Sequence, residues 1–401
     1  MNVSSARPSG AKYAAKKSAI LAAATRVLND QGTRGFTLAE VARRMNMHPV
    51  SLTYYFRTRE LLASECLLTT IARFGQMAEQ ASLAATARER ISAFIAAYFD
   101  VRRQVALGEQ APLASFSELR LIDRSADSPV IVAFIAMMKQ VRALFPHEAP
   151  GQVRAIQARL MMEHLSWTRV WIDRYEPAEL TAAGQRLADI FIGGLSARGS
   201  TWPQTRPFAL GSAPTSEITR ERYLVAATEL INRLGFDGAS VDLIASSLNV
   251  TKGSFYHHNA AKEQLLVDCF DRTFTLFRQA QALATGARAW DRLASMTRAL
   301  VRYQQSGEDG RLLRNYAMAA LPAKARPLVI ARYQELAGRI ATLIGEGISD
   351  GSIRPVDPLL AAHVVIGLVN ASSYLESWVR GVEDLDLSEA LARPGLMGVG
   401  F

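Results

Sequence analysis

The stretch Leu21-Ala-Ala-Ala-Thr-Arg-Val-Leu-Asn-Asp-Gln-Gly32 returns later in the chain as Leu224-Val-Ala-Ala-Thr-Glu-Leu-Ile-Asn-Arg-Leu-Gly235. Leu21, Ala23, Ala24, Thr25, Asn29 and Gly32 recur as Leu224, Ala226, Ala227, Thr228, Asn232 and Gly235, each displaced by 203 positions. Without a gap, the same displacement carries Gly35 to Gly238, Ala42 to Ala245, Asn46 to Asn249, Ser51 to Ser254, Glu60 to Glu263, Leu62 to Leu265 and Cys66 to Cys269. So many identities at one offset mark a duplication, with copies of about 200 residues in a 401-residue chain. Residues 199–215, with three prolines, two glycines and no hydrophobic period, read as the linker between them.

Within each copy the repeated segment has a helical signature. Ile20, Leu21, Ala24, Val27 and Leu28 share one face over Ser18–Asp30, and Gly32 supplies a left-handed stop. Thr37-Leu-Ala-Glu40 has the spacing of a capping box, so a second helix is expected to run to Met45 with Leu38, Val41, Ala42 and Met45 inward. A turn at Asn46-Met47-His48 follows, then a short helix from Pro49 to Phe56. In the second copy Ser240 is the cap, Val241, Ile244, Ala245 and Leu248 point inward, and the turn at Asn249-Val250 leads to a helix from Thr251 to His258. Two short helices joined by a tight turn, on a third, make a helix-turn-helix unit.

These residues resemble the DNA-binding signature of the TetR family of bacterial transcriptional regulators. Copy two carries Ile244-Ala245, then Val250-Thr-Lys-Gly-Ser-Phe-Tyr-His-His258, then Lys262-Glu-Gln-Leu265, with Asn259 where the family has Phe. Copy one carries Val41-Ala42, then Met47-His-Pro-Val-Ser-Leu-Thr-Tyr-Tyr-Phe56, then Arg59-Glu-Leu-Leu62; Val50 stands for Gly, Thr53 for Tyr and Arg59 for Lys. The resemblance implies an all-α chain, a tandem duplication of a helix-turn-helix DNA-binding domain plus a helical regulatory domain. The corresponding divisions are 1–65 and 66–198 for copy one, the linker 199–215, then 216–268 and 269–401 for copy two. Gly347 to Pro358 resembles a junction common in the family's regulatory domain.

Helical geometry assigns roles within each head. At about 100° per residue, an inward Leu52 turns Val50 and Tyr54 outward, and Gly253 and His257 occupy the same outward positions in copy two. Those positions are expected to reach base edges. Thr37, Ser51, Tyr55 and Arg59 are expected at the flanking phosphates, as are Ser240, Thr251, Lys252, Tyr256, His258 and Lys262. Arg43, Arg44, Pro49, Thr53 and Ser254 complete the expected DNA-binding set. Charge separates the copies: residues 1–62 hold ten Lys and Arg against three acids, a net +7, whereas 203–265 hold six of each sign. Counterion release from phosphates scales with such cations.

Composition excludes several classes. With 49% hydrophobic and 21% charged residues the chain is no disordered polyelectrolyte, and its net +9 suits a polyanionic partner. Two cysteines make neither a disulfide scaffold nor a zinc site, and Cys66 and Cys269 read as small buried side chains, the expected compartment being the cytoplasm. The start at Lys16-Lys17 is interrupted by Thr25 and Arg26, so it reads as an amphipathic helix rather than a signal peptide. The uncharged run Pro358–Leu375 contains His363, Asn370, Ser372 and Ser373 and reads as a buried helix, so no membrane role is expected. No phosphate loop, metal spacing or Ser/His/Asp order is present; neither an enzyme nor a cofactor nor a metal is expected.

The expected partners are double-stranded operator DNA and an unidentified small-molecule effector. The effector's residues are unknown; Met137-Met138, Met161-Met162, His164, Trp167 and Trp171 read either as a pocket lining or as plain core. For assembly, the resemblance implies a dimer through the last two helices. Here Pro150–Tyr175 and Pro177–Ala197 of copy one are expected to meet Asp357–Arg380 and Leu387–Arg393 of copy two, with the last helix cut short at Pro394. An intrachain pseudo-dimer and an ordinary homodimer both satisfy this. The competing functional reading is a helical ligand sensor or scaffold that does not bind DNA, with a decayed second head.

Overall fold

Ala11, Ala14 and Ala15, set among lysines, are strong helix formers, and helix α1 accordingly begins at Gly10 and runs to Gly35 rather than spanning only Ser18–Asp30. In this computed structural model the described residues are 10–116, 119, 128–211, 219–253, 261–306, 311–322, 324–373 and 386–400. Gly32 interrupts α1 at φ 60°, ψ −163°, a region open essentially to glycine alone, and Gly235 does the same in copy two at φ 77°, ψ 168°. The stop expected at Gly32 is therefore present.

After α1 come α2 (Leu38–Arg44), α3 (Pro49–Thr53), α4 (Arg59–Ser82), α5 (Ala87–Ala106) and α6 (Pro129–Ala143). Then follow α7 (Gly151–Trp167), α8 (Leu180–Gly193), α9 (Arg220–Gly238), α10 (Val241–Ser247), α11 (Lys262–Leu283), α12 (Ala289–Ser306), α13 (Arg326–Ser349), α14 (Pro358–Ser372) and α15 (Leu387–Met397). The fold is all-α, and the only pairing of extended backbone among the described residues is one isolated bridge, Ser196 to Ile353. The chain packs as two compact units, residues 1–79 with 101–140, and residues 80–100 with 141–401.

In the first unit, Ile20, Ala24, Val27 and Leu28 of α1, Val41 and Ala42 of α2, and Leu52 of α3 are fully buried together. Each buried Ile, Leu or Val among them contributes about 1.5–3 kcal/mol. Asn29 clips α1 to the segment after α5: its Nδ2 donates to the Leu113 carbonyl at 2.8 Å and its Oδ1 accepts from the Ser115 amide at 2.9 Å. Thr70 Oγ1 accepts from the Ala114 amide at 2.8 Å. Copy two, in the second unit, repeats this clip with Asn232 on Leu312 and Arg314 (2.9 and 3.0 Å) and Thr273 on Leu313 (3.0 Å).

In the second unit, α7 and α8 of copy one pack against α14 of copy two, and α15 packs on α7, α12 and α14. Asp357 caps α14, accepting from the Leu359 and Leu360 amides at 3.0 Å each. The helix is buried almost throughout, as its uncharged sequence implied. Residues 374–380 of the expected Asp357–Arg380 segment lie outside the described residues. The expectation that the last helix stops at Arg393 is overturned: α15 continues through Pro394 to Met397. Pro394 gives up one amide bond, yet Leu391, Ala392 and Leu396 on either side of it are fully buried, and that packing holds the last turn.

Backbone stitches join the ends of the two copies. Leu195 N donates to Leu396 O at 2.7 Å, Arg354 N to Leu195 O at 2.9 Å, and Val399 N to Phe191 O at 3.2 Å. A Cβ on Gly194 would sit 2.1 Å from Met397 C, and one on Gly398 would sit 2.4 Å from Ile192 O; only glycine permits that approach. Residues 199–211 form no helix but lie pinned on copy two. Trp202 Nε1 donates to Glu389 at 2.6 Å, Trp290 Nε1 to Thr201 O at 3.2 Å, and Arg298 Nη1 to Pro203 O at 3.1 Å.

Candidate nucleic-acid interface

Copy one builds its candidate surface on a tight turn. Asn46, at φ 50°, follows the end of α2. Met47 N closes back onto Ala42 O at 2.9 Å and Asn46 N onto Arg43 O at 3.2 Å, the pair of bonds that caps a helix on a left-handed residue. Pro49 then opens α3, whose first free amide, that of Val50, donates to His48 Nδ1 at 3.3 Å. The expected Pro49–Phe56 helix is shorter, ending at Thr53. Tyr55 N and Phe56 N both turn onto Leu52 O at 2.9 and 3.0 Å, which tightens the last turn and ends the helix.

The facing of α3 is as the helical period required: Leu52 is fully buried while Val50 is 69% and Tyr54 63% exposed. Thr37, Pro49, Ser51 and Thr53 are exposed beside them. Tyr55 is half-buried because its ring stacks on Tyr13, centroids 5.0 Å apart at 22°. Tyr13 also meets Tyr54 edge-on at 6.1 Å. Sequence reasoning missed Tyr13, although the spacing 13, 17, 20, 24 continues the buried stripe of α1.

The expected capping box is only half formed. Thr37 Oγ1 accepts from Glu40 N at 3.1 Å, but the Glu40 carboxylate takes Arg43 Nε and Nη2 at 2.7 Å each and Gln31 Nε2 at 3.0 Å. Two charge-assisted bonds outcompete one backbone amide. The Arg43 hydrogen bonds hold the Glu40 carboxyl down at about 2. Arg44 pairs with Asp30 at 2.8 Å, and Arg59 with Glu60 at 2.8 Å. Three residues of the expected DNA-binding set are thus arginines with acidic neighbours. Thr58, also missed, accepts from Leu61 N at 3.2 Å and caps α4.

Copy two repeats the cap and the turn. Ser240 Oγ accepts from Leu243 N at 3.1 Å, Asn249 takes φ 55°, and Val250 N closes on Ala245 O at 3.1 Å. Thr251, Lys252 and Gly253 are exposed, and Lys252 pairs with Asp242 at 3.0 Å. Among the described residues a Cβ on Gly253 meets nothing nearer than Thr251 Oγ1 at 3.7 Å. Lys262 lies over the Phe236 ring at 4.4 Å. Ser254, Tyr256, His257 and His258 fall outside the described residues.

Away from the heads, Cys66 Sγ donates to Leu21 O at 3.8 Å and Cys269 Sγ to Leu224 O at 3.6 Å, the same bond one repeat apart. Burial pushes their thiols up to about 11 and about 12, so neither is poised as a nucleophile. Among the stripe weighed as an effector pocket, Trp167 meets Tyr333 of copy two at 5.3 Å and Trp171 stacks on His363 at 5.8 Å. Those residues form helix–helix contact. A groove of about 700 Å³ lies beside α9 and α11, with Arg220 paired to Asp268 and Arg272 to Glu221, each at 2.5 Å. Among the described residues no group of acids, histidines and cysteines is arranged to hold a metal ion, and no helix is long and apolar enough to cross a membrane.

The family described as "Bacterial regulatory proteins, tetR family" matches at residues 20–66 and again at 224–269, and the "Tetracyclin repressor-like, C-terminal domain" matches at 286–378. The chain is thus similar to the tetR family of bacterial regulatory proteins at both repeats. Both tetR-family matches fall on the duplicated heads. A curated relative, the HTH-type transcriptional regulator BetI of Rhizobium meliloti (strain 1021), is 34% identical over 104 residues. That alignment covers 26% of this chain, which spans about half (51%) of the relative's length. Similar solved structures include AibR in complex with isovaleryl coenzyme A and operator DNA, 26% identical over 45% of this chain and 98% of its own, TM-score 0.37. PfmR from Thermus thermophilus is 22% identical over 44% and 98%, TM-score 0.36.

Proposed function

We propose that this chain is an effector-responsive, tetR-family transcriptional repressor that reads operator DNA in the cytoplasm, without enzymatic activity. The observation that carries the reading is the copy-one head: α3 buries Leu52 and projects Val50 and Tyr54 into solvent, on a segment whose net charge is +7. In this reading Val50 and Tyr54, with Gly253 and His257 in copy two, meet base edges. Thr37, Ser51, Arg59, Ser240, Thr251, Lys252 and Lys262 position the backbone. Residues 1–65 and 216–268 are the heads, and 66–198 and 269–401 bind the effector and hold the copies together. The curated relative's designation as a transcriptional regulator supports it.

The test is salt. Affinity for duplex DNA should fall steeply as salt rises, with a log–log slope of about −0.9 per neutralised phosphate. A flat response, or no duplex binding at low salt, would leave the helical sensor or scaffold as the reading.

A further inference from the structure

The α3 helix of copy one is five residues long, little more than one turn, so its outward aromatic, Tyr54, sits at the C-cap of a short helix. Tyr54 is 63% exposed, and an exposed ring at a helix end samples several rotamers. Three rings nevertheless interlock here. Tyr54 meets Tyr55 edge-on at 5.2 Å and 87°, Tyr13 stacks on Tyr55 at 5.0 Å and 22°, and Tyr13 meets Tyr54 at 6.1 Å and 81°. All three separations and angles are those that aromatic quadrupoles favour. Tyr13 comes from α1, four residues before Lys17, whose Nζ lies 2.9 Å from Glu65 and 5.6 Å over the Phe56 ring. That end of α1 is therefore anchored to α4 and to the close of the head.

We infer that Tyr13 is a positioning residue of the copy-one head, fixing the Tyr54 ring for contact with a base edge. The inference rests on the reading of this head as a DNA reader. The duplication strengthens it: copy two has Ser216 at the matching position, with His257 and His258 in place of Tyr54 and Tyr55, and has Tyr256 where copy one has Thr53. Copy one thus carries tyrosine at 13, 54 and 55, where copy two carries Ser216, His257 and His258. The device belongs to one head alone, so it gives the two heads different base preferences.

The experiment selects duplexes from a randomised pool with the unmodified full chain, then measures variants on the winning duplex and on each single base-pair change. Tyr13→Ala should weaken the winner by roughly 3- to 10-fold, the size of one aromatic pair, and flatten preference at the same base pairs as Tyr54→Ala. Tyr13→Phe should match the unmodified chain. The double variant Tyr13→Ala/Tyr54→Ala should bind no more weakly than Tyr54→Ala, because the two act as one unit. Should Tyr13→Ala fold poorly, Tyr13→Leu keeps apolar bulk without the ring and should lose the same base preference. A uniform loss on every duplex, multiplying losses in the double variant, or a Tyr13→Phe as weak as Tyr13→Ala would each overturn the inference, the last by assigning Tyr13 a direct hydroxyl contact. If the unmodified chain selects no duplex, the DNA reading falls and takes this inference with it. If it selects one and Tyr13→Ala changes nothing, only the inference falls.

Discussion

Asn46 and Asn249 hold φ of 50° and 55°, where a residue with a Cβ is strained and asparagine is among the least penalised. Asn46 ends α2 and aims α3, and Asn249 ends α10 in the same way, so in copy one a single backbone angle sets the direction of the exposed α3 face. Asn46→Val should cost about 1–2 kcal/mol of stability in urea denaturation, while Asn46→Gly should be close to neutral. Equal costs for the two substitutions would mean that the side chain, not the backbone angle, is what the turn needs. Both asparagines were legible as repeated residues at a turn. The Asn29 and Asn232 clips were not, although the residues recur, because their carbonyl partners lie 84 and 80 positions away and no periodicity announces such a bond. The Glu40 carboxylate misled for a related reason: the capping-box spacing was present, but Arg43 one turn on offered it a stronger partner.

At the scale of the helix, α7 shows what an apolar stripe leaves undecided. Met161, His164 and Trp167 are buried, and a helix that faces a ligand and one that faces another helix carry the same pattern. The structure sets them against α14, where Gly367 admits His164: a Cβ there would lie 2.9 Å from His164 Nδ1. Burial lowers His164 to about 3 and His363 to about 4. His164 faces Phe191 at 5.9 Å, while Arg174 opposes and Asp357 favours the charged form of His363. Between pH 6.5 and those values the unfolded chain takes up protons that the folded chain refuses. Stability is full above pH 6.5 and should fall on acidification toward pH 4, by at most about 1.4 kcal/mol per pH unit for each histidine. Glu163 acts in the opposite sense, since burial raises its pKa and the folded chain keeps a proton above pH 4.5. His164→Leu should therefore flatten the acid limb of a stability–pH curve without weakening the protein at pH 8. An unchanged limb would show that His164 stays hydrated in the folded chain.

For the whole molecule the question is what the second copy is for. The last two helices of copy one meet the last helices of copy two inside one compact unit. Arg354 and Asp189 pair across the same contact at 2.7 Å, and residues 199–211 are held down rather than left as a free tether. A chain whose pairing face is already covered by its own second half has no equivalent face to offer another chain. The full chain should therefore run as a monomer in light scattering. Its heads differ at outward positions, Val50 against Gly253, Thr53 against Tyr256 and Tyr54 against His257, and in net charge. A monomer with two unlike heads has no two-fold axis to impose on its site, so footprinting should show two dissimilar half-sites rather than a palindrome. Substitutions in copy one should then disturb one half of the footprint, and substitutions in copy two the other. Breaking the stitch between the copies gives a second check. Gly194→Val would force apart the backbone at Met397, and should lower stability and protection of both half-sites together. A stable two-chain particle protecting a symmetric sequence would refute the pairing within one chain while leaving the DNA-binding proposal standing.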